Sequence, residues 1–313
     1  MRGEIGAVSG MDEQKINVFH VCTKGLEDRL LFWDDDDYRF GIRIAAFSAF
    51  RHKVMIAAYC LMTNHVHFMV CADNRERVVC FLNDFKKEYS RYHCRRHGVP
   101  NVLKRVGSMI KQMNDVSYIR NCIAYILRNP VEGGLVRDAG QYEWSSVNCY
   151  FSGNASLLYR PVSSLLVKEA KRMLHTHCNL SGSGFMFDGN YDIVPESFVA
   201  GGFVESLFRN SREFFWNRVA KVDSAVMELE LAFSGRIRYN DYELICRMEN
   251  VVRERFNKTS VSQLDVNERC KMAGYLYRRM YAGASQIARV LGFDRKIIRE
   301  ILGLSGSLQA GKV

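Results

Sequence analysis

The sequence predicts an α+β chain: a ferredoxin-like antiparallel sheet backed by helices, followed by an α-helical C-terminal domain. Three observations predict it. Over the first half, short apolar runs and amphipathic stretches follow the order strand, helix, strand, strand, helix, strand, helix. From about Asp223 onward the pattern is helical throughout. Hydrophobic residues make up 48% of the 313, and charged residues 25%, which excludes a mainly disordered chain and provides for a core.

Each element has its own signal. Residues 1–14 are polar and contain glycine, and read as a flexible tail with no apolar signal core, so secretion is not expected. Residues 15–25, KINVFHVCTKG, alternate and read as a strand. Residues 35–49 read as a helix. The runs 54–62 and 65–71, split by Thr63 and Asn64, read as a hairpin. Over 75–96, Val78, Phe81, Leu82, Phe85, Tyr89 and Tyr92 recur three or four apart, the mark of an amphipathic helix, and Gly98 and Pro100 end it. Residues 107–113 read as a short strand. Over 115–129, Val116, Ile119, Ile123, Ile126 and Leu127 share a helix face, and Pro130 is expected to stop that helix. Residues 185–199 suggest a small hairpin, then a helix over 197–208. The domains expected are 15–152, a connecting region over 153–224 acting as a spacer, and a helical DNA-binding domain over 225–313.

Composition narrows the function class. No run of 18 apolar residues occurs, so no membrane partner is expected. The ten cysteines contain no CxxC pair, which argues against a zinc ribbon or a disulfide scaffold and for free thiols in a reducing cytoplasm. Lys and Arg number 44 against 34 Asp and Glu, a net charge of +10 that attracts polyanions. From 86 to 111 the basic residues Lys86, Lys87, Arg91, Arg95, Arg96, Lys104, Arg105 and Lys111 meet one acidic residue, Glu88. That cluster is either a nucleic-acid face or a solvated helix face.

Two constellations carry chemistry. His65-Val66-His67 lies in a strand, where alternate side chains share a face, so both imidazoles point the same way. Such a pair either chelates a divalent metal or sits half-buried in the hairpin. Tyr125 and Asn129 are four apart and share a helix face. A phenol is a nucleophile for phosphoryl transfer and an amide oxygen is a metal ligand, but most of the 15 tyrosines serve packing. His93 and His97 are also four apart, in a basic stretch with no carboxylate nearby in sequence, so DNA contact or exposure is expected there. His175 and His177 repeat the HxH shape at a helix end, where alternation does not hold.

Together these segments resemble the HUH single-tyrosine transposases, in particular the REP-associated branch. YCLMTNHVHFMV is similar to the family's metal-binding hairpin, FLNDFKKEYSRYHCRRHG to its basic helix, YILRNPVEGGLV to its nucleophile helix and YEWSSVNCY to the segment after it. The four occur in order and span about residues 15–151. The resemblance implies an HUH nuclease domain in which His65, His67 and Asn129 hold Mg²⁺ or Mn²⁺. It implies that Tyr125 attacks single-stranded or hairpin DNA through a 5′-phosphotyrosine, with no small-molecule cofactor. Tyr118, seven residues earlier, is the rival nucleophile. Lys86, Lys87, Arg91, Arg95 and Arg96 would meet phosphates. Two departures stand out: Val99 to Val106 replaces an aromatic-rich segment, and Glu132 replaces the usual arginine of NPVRAGLV.

The end of the chain, SQIARVLGFDRKIIREIL, fits a helix-turn-helix near 284–302 or a plain helical hairpin. Ile287, Ala288 and Leu291 form the inner stripe of its first helix and Gly292 permits the turn. Asp294 caps the second helix, with Ile297, Ile298 and Ile301 expected inward and Arg295, Lys296 and Arg299 outward toward DNA. The alternative to an enzyme is a domesticated, inactive DNA-binding regulator using this end. An RNA-binding module would place aromatics where His65 and His67 stand. A homodimer and a monomer are both compatible with the sequence.

Overall fold

The computed structural model describes residues 17–152, 159–222, 227 and 239–304. The tail expected over 1–14, and residues 153–158, 223–226, 228–238 and 305–313 of the connecting and C-terminal segments, lie outside the described residues. The chain divides into two compact units. Met1–Thr23, Phe32–Met62 and Val66–Leu231 form the first; Lys24–Leu31, Thr63–His65 and Ala232–Val313 form the second.

The first unit carries β1 (Asn17–Thr23), α1 (Asp35–Arg51), β2 (Met55–Met62), β3 (His65–Ala72), α2 (Arg75–His97), β4 (Ser108–Met113) and α3 (Val116–Glu132). The sheet order is β2–β3–β1–β4, and β1 runs antiparallel to both β3 and β4. This is the β-α-β-β-α-β pattern expected above. Every residue of β3 is buried, as its apolar run demands. The helices start where side chains supply the missing acceptors. Asp34, Asn74 and Asp115 accept from the backbone N–H of Asp37, Arg77 and Tyr118. Gly98 ends α2 at φ 72°, a left-handed conformation that glycine adopts without strain.

Pro130 does not stop α3, which runs on to Glu132. A proline here removes the N–H that would bond Ile126 O four residues back. The Asn129 side chain stands in: its Nδ2 donates to Tyr125 O at 2.7 Å and reaches Ile126 O at 3.4 Å.

The region expected to be a spacer packs inside the first unit. It holds a two-stranded pair, β5 (Arg160–Pro161) with β6 (Met186–Phe187), and helices α4 (Val167–Met173), α5 (Gly201–Leu207) and α6 (Arg212–Lys221). The helix expected from 197 begins at Gly201. Val162, Leu174, Phe185 and Ile193 bury with Ala46 and Phe47 of α1, and burial of that apolar surface holds the segment down. α6 lies along α3, where Arg218 donates to Asn121 at 3.1 Å and Arg128 to the Ala220 carbonyl.

The second unit contains α7 (Asp241–Phe256), α8 (Val266–Met280), α9 (Ala284–Leu291) and α10 (Arg295–Ile301) around Leu244, Met248, Met272, Leu276, Ile287 and Ile298. Within it, Asn64 donates to Leu26 O at 2.9 Å and Asp241 N to Glu27 O at 2.7 Å. Arg289 pairs with both Glu27 and Asp241. Gly292, at φ 68°, makes the turn between α9 and α10.

Candidate functional site

Strand register and helix periodicity converge on one cluster. On β1, His20 and Cys22 point to the same face, and Cys22 lies directly opposite His67 of β3. On α3, Tyr118, Cys122, Tyr125 and Asn129 fall three or four apart and form one stripe. His20 and His67 are 0% exposed, Tyr125 1% and Asn129 3%. The Tyr125 ring centre is 5.9 Å from that of His67 and 6.5 Å from that of His20, with its plane at 86° and 87° to theirs. The structure thus brings together two of the side chains singled out from sequence, His67 and Tyr125.

His65, also 0% exposed, shares its strand face with His67, two residues on. Its Nδ1 meets Asn64 Oδ1 at 2.6 Å. Asn129 sits one turn beyond Tyr125, its amide nitrogen engaged by helix carbonyls. Tyr118, the rival nucleophile, is only partly buried; its hydroxyl accepts from Lys111 Nζ at 3.1 Å, and the ammonium also lies 5.2 Å from the ring centre. Sequence reasoning missed His20 and Cys22. Their alternation within KINVFHVCTKG was the available signal, but only the β1–β3 register brings them to His67.

Imidazole nitrogens such as those of His20 and His67 match Mn²⁺ and later first-row ions better than Mg²⁺. Among the described residues, the one group of three histidine, cysteine or carboxylate ligand atoms lying within 4.8 Å of one another is His20, Cys22 and His67.

Residues 28–110 match the family model described as Transposase IS200 like. The match is a similarity of that segment, which is well under half of the chain, to IS200-like transposases. The matched residues include His65, His67 and α2 and end before α3, so Tyr125 and Asn129 lie outside them. A solved structure, of the REP-associated tyrosine transposase bound to a REP hairpin, aligns at 17% identity over 45% of this chain and 87% of that one, with a TM-score of 0.32. A likeness that low carries no argument. No curated protein matches the chain.

The basic helix α2 divides by side-chain partner. Lys86 is buried; its Nζ donates to Val106 O at 2.6 Å and burial lowers its pKa from the ordinary lysine value. Arg96 turns to the start of α1 and pairs with Asp34, Asp36 and Asp37. Lys87, Arg91, Arg95 and Lys104 line an open cavity of about 640 Å³, to which Lys86 also contributes. Its other wall comes from the departing segment, which anchors by Leu103 N donating to Ser90 Oγ at 3.0 Å. Arg91 also bonds Glu88 at 2.8 Å.

His93 and His97 are not an exposed pair. His93 is 0% exposed, and its ring packs against Trp33 and Tyr89. His97 lies 2.9 Å from a carboxylate oxygen of Asp37, brought from a distant part of the chain, and stacks on Trp33. His175 follows α4 in a left-handed turn at φ 49°. In the second unit, Arg295 and Lys296 are exposed and Arg299 donates to Leu304 O at 2.8 Å. Of the three isoleucines expected inward on α10, only Ile298 is buried. Ile297 is 45% exposed and Ile301 37%.

Proposed function

We propose that this chain cleaves and rejoins single-stranded DNA, with hairpin or palindromic sites as substrates and Tyr125 as nucleophile. One observation carries the reading: the Tyr125 ring stands against His67, the second histidine of the HxH motif, at 5.9 Å. In the step proposed, the Tyr125 hydroxyl oxygen forms a bond to phosphorus as it loses its proton. The bond from phosphorus to the 3′ oxygen breaks, leaving a 5′-phosphotyrosine and a free 3′-OH. Rejoining reverses these bond changes with another 3′-OH. His65, His67 and Asn129 would hold Mg²⁺ or Mn²⁺. When bound, the cation supplies charge stabilisation at the scissile phosphate. Lys87, Arg91 and Arg95 would meet backbone phosphates at the cavity they line; Lys86 lines it too, but its ammonium is bonded to Val106 O, and Arg96 pairs with aspartates at the start of α1. Arg295 and Lys296 of the α9–α10 pair would contact duplex DNA as a helix-turn-helix.

The test incubates the protein with labelled hairpin DNA and Mn²⁺ and looks for an adduct that survives denaturant. Tyr125→Phe should abolish the adduct and spare binding, and His65→Ala should cut cleavage severely. Adduct formed by Tyr125→Phe moves the nucleophile to Tyr118. A second reading, an inactive DNA-binding regulator, is favoured by burial: Tyr125 is 1% exposed and both histidines 0%. The catalytic reading therefore requires that DNA binding open the site. Binding without adduct in any variant supports the regulator.

A further inference from the structure

His20 was assigned no role from sequence, yet its ring meets His67 in a specific way. The two ring planes differ by 3° and their centres are 5.4 Å apart. The facing nitrogens, His20 Nε2 and His67 Nδ1, are 3.1 Å apart. A ring nitrogen sits roughly 1.1 Å from its ring centre, so these distances agree only if both nitrogens lie on the line joining the centres. The imidazoles are therefore coplanar and edge to edge, with their in-plane nitrogen directions along one line. That is the geometry of an N–H···N hydrogen bond. It is not that of a chelate, in which both lone pairs converge off that line on a cation about 2.0–2.1 Å from each nitrogen.

We infer that His20 is a positioning residue: it accepts from His67 Nδ1–H, holding His67 in the tautomer whose Nε2 carries the lone pair. The inference rests on the reading of His67 as a metal ligand. His65 is held in the same sense from another source. Asn64 Nδ2 donates to Leu26 O at 2.9 Å, which turns Oδ1 toward His65 Nδ1 at 2.6 Å. Both histidines of the motif are thus gripped at Nδ1 and both keep Nε2 as the ligand atom. Such outer partners fix ring orientation and tautomer at metal sites, and their loss typically weakens metal binding. Here the partner of His67 is a second imidazole, supplied by the central strand. Cys22 also lies close to both rings.

The test uses the full chain. Ring ¹⁵N shifts of metal-free wild type report the tautomer directly: His67 should be protonated at Nδ1 and bare at Nε2. His20→Phe keeps a planar ring and removes the acceptor; it should let His67 populate both tautomers and weaken Mn²⁺ binding about 10–100-fold. His20→Gln restores an acceptor and should recover part of that loss. Cys22→Ser should change neither readout. An Nε2–H tautomer in wild type overturns the inference, and needs no variant to fold. Loss of Mn²⁺ affinity in Cys22→Ser equal to that in His20→Phe also overturns it, in favour of a three-residue chelate. Failure of the underlying reading looks different: wild type and His67→Ala would bind Mn²⁺ equally while the tautomer stays as stated.

Discussion

Asn129 has a structural duty that can be measured apart from any metal. In α3, Pro130 withholds the N–H owed to Ile126 O, and the Asn129 amide approaches that carbonyl and the one before it. Both carbonyls lie in a helix whose residues 122–127 are buried. Asn129→Ala removes this donor and leaves Ile126 O in an apolar setting with neither backbone nor side-chain N–H. An abandoned buried acceptor costs about 1–3 kcal/mol, and the 3.4 Å separation argues for the lower end, near 1 kcal/mol. Pro130→Ala restores a backbone N–H to the same carbonyl. The two changes should therefore couple: Asn129→Ala should cost about 1 kcal/mol less on the Pro130→Ala background. Amide hydrogen exchange of residues 116–132, without metal, reads this as about a tenfold change in opening for each 1.4 kcal/mol. Strictly additive effects would refute the compensation and return Asn129 to ligand duty alone.

Three further outcomes are expected. Burial pushes the Asp37 carboxyl up, but donors from Trp33, His97 and Arg96 outweigh it and hold it below the ordinary value, and hydrogen bonding from Arg96 does the same for Asp34. Both folded-state values are depressed, so their stabilisation is present above the unfolded value near 3.8 and is lost as pH falls through the folded values. Acid unfolding followed by circular dichroism should shift to higher pH in Arg96→Leu. In salt titrations of single-stranded DNA binding, Lys87→Gln, Arg91→Gln and Arg95→Gln should each reduce the slope by about 0.7, whereas Lys86→Met should leave it unchanged. Ile298→Ala should destabilise the second unit by about 2–5 kcal/mol, while Ile297→Ala stays within about 0.5 kcal/mol, in thermal melts of the full chain.

Local chemistry made much of this protein legible in advance. Alternation marked β1, apolar runs marked β2 and β3, and apolar residues three or four apart marked α2 and α3. The HxH strand and the Tyr125 stripe were visible because each is a short-range pattern. Pro130 misled for a local reason of another kind: its neighbour's side chain replaces the bond that it removes, and single-residue rules do not carry that pairing. The basic run was legible as charge but not as function. Lys86 and Arg96 are spent on Val106 O and on the aspartates of α1, partners remote in sequence.

By itself, the order of residues determined the element types, the shared face of His65 and His67, and the shared face of Tyr125 and Asn129, since these follow from fixed helical and strand periods. Only the tertiary structure decided that β1 lies between β3 and β4, that His20 meets His67 edge to edge, and that Asp37 reaches His97. Those contacts join segments tens of residues apart, and strand register and helix docking, which set them, depend on how the whole core packs.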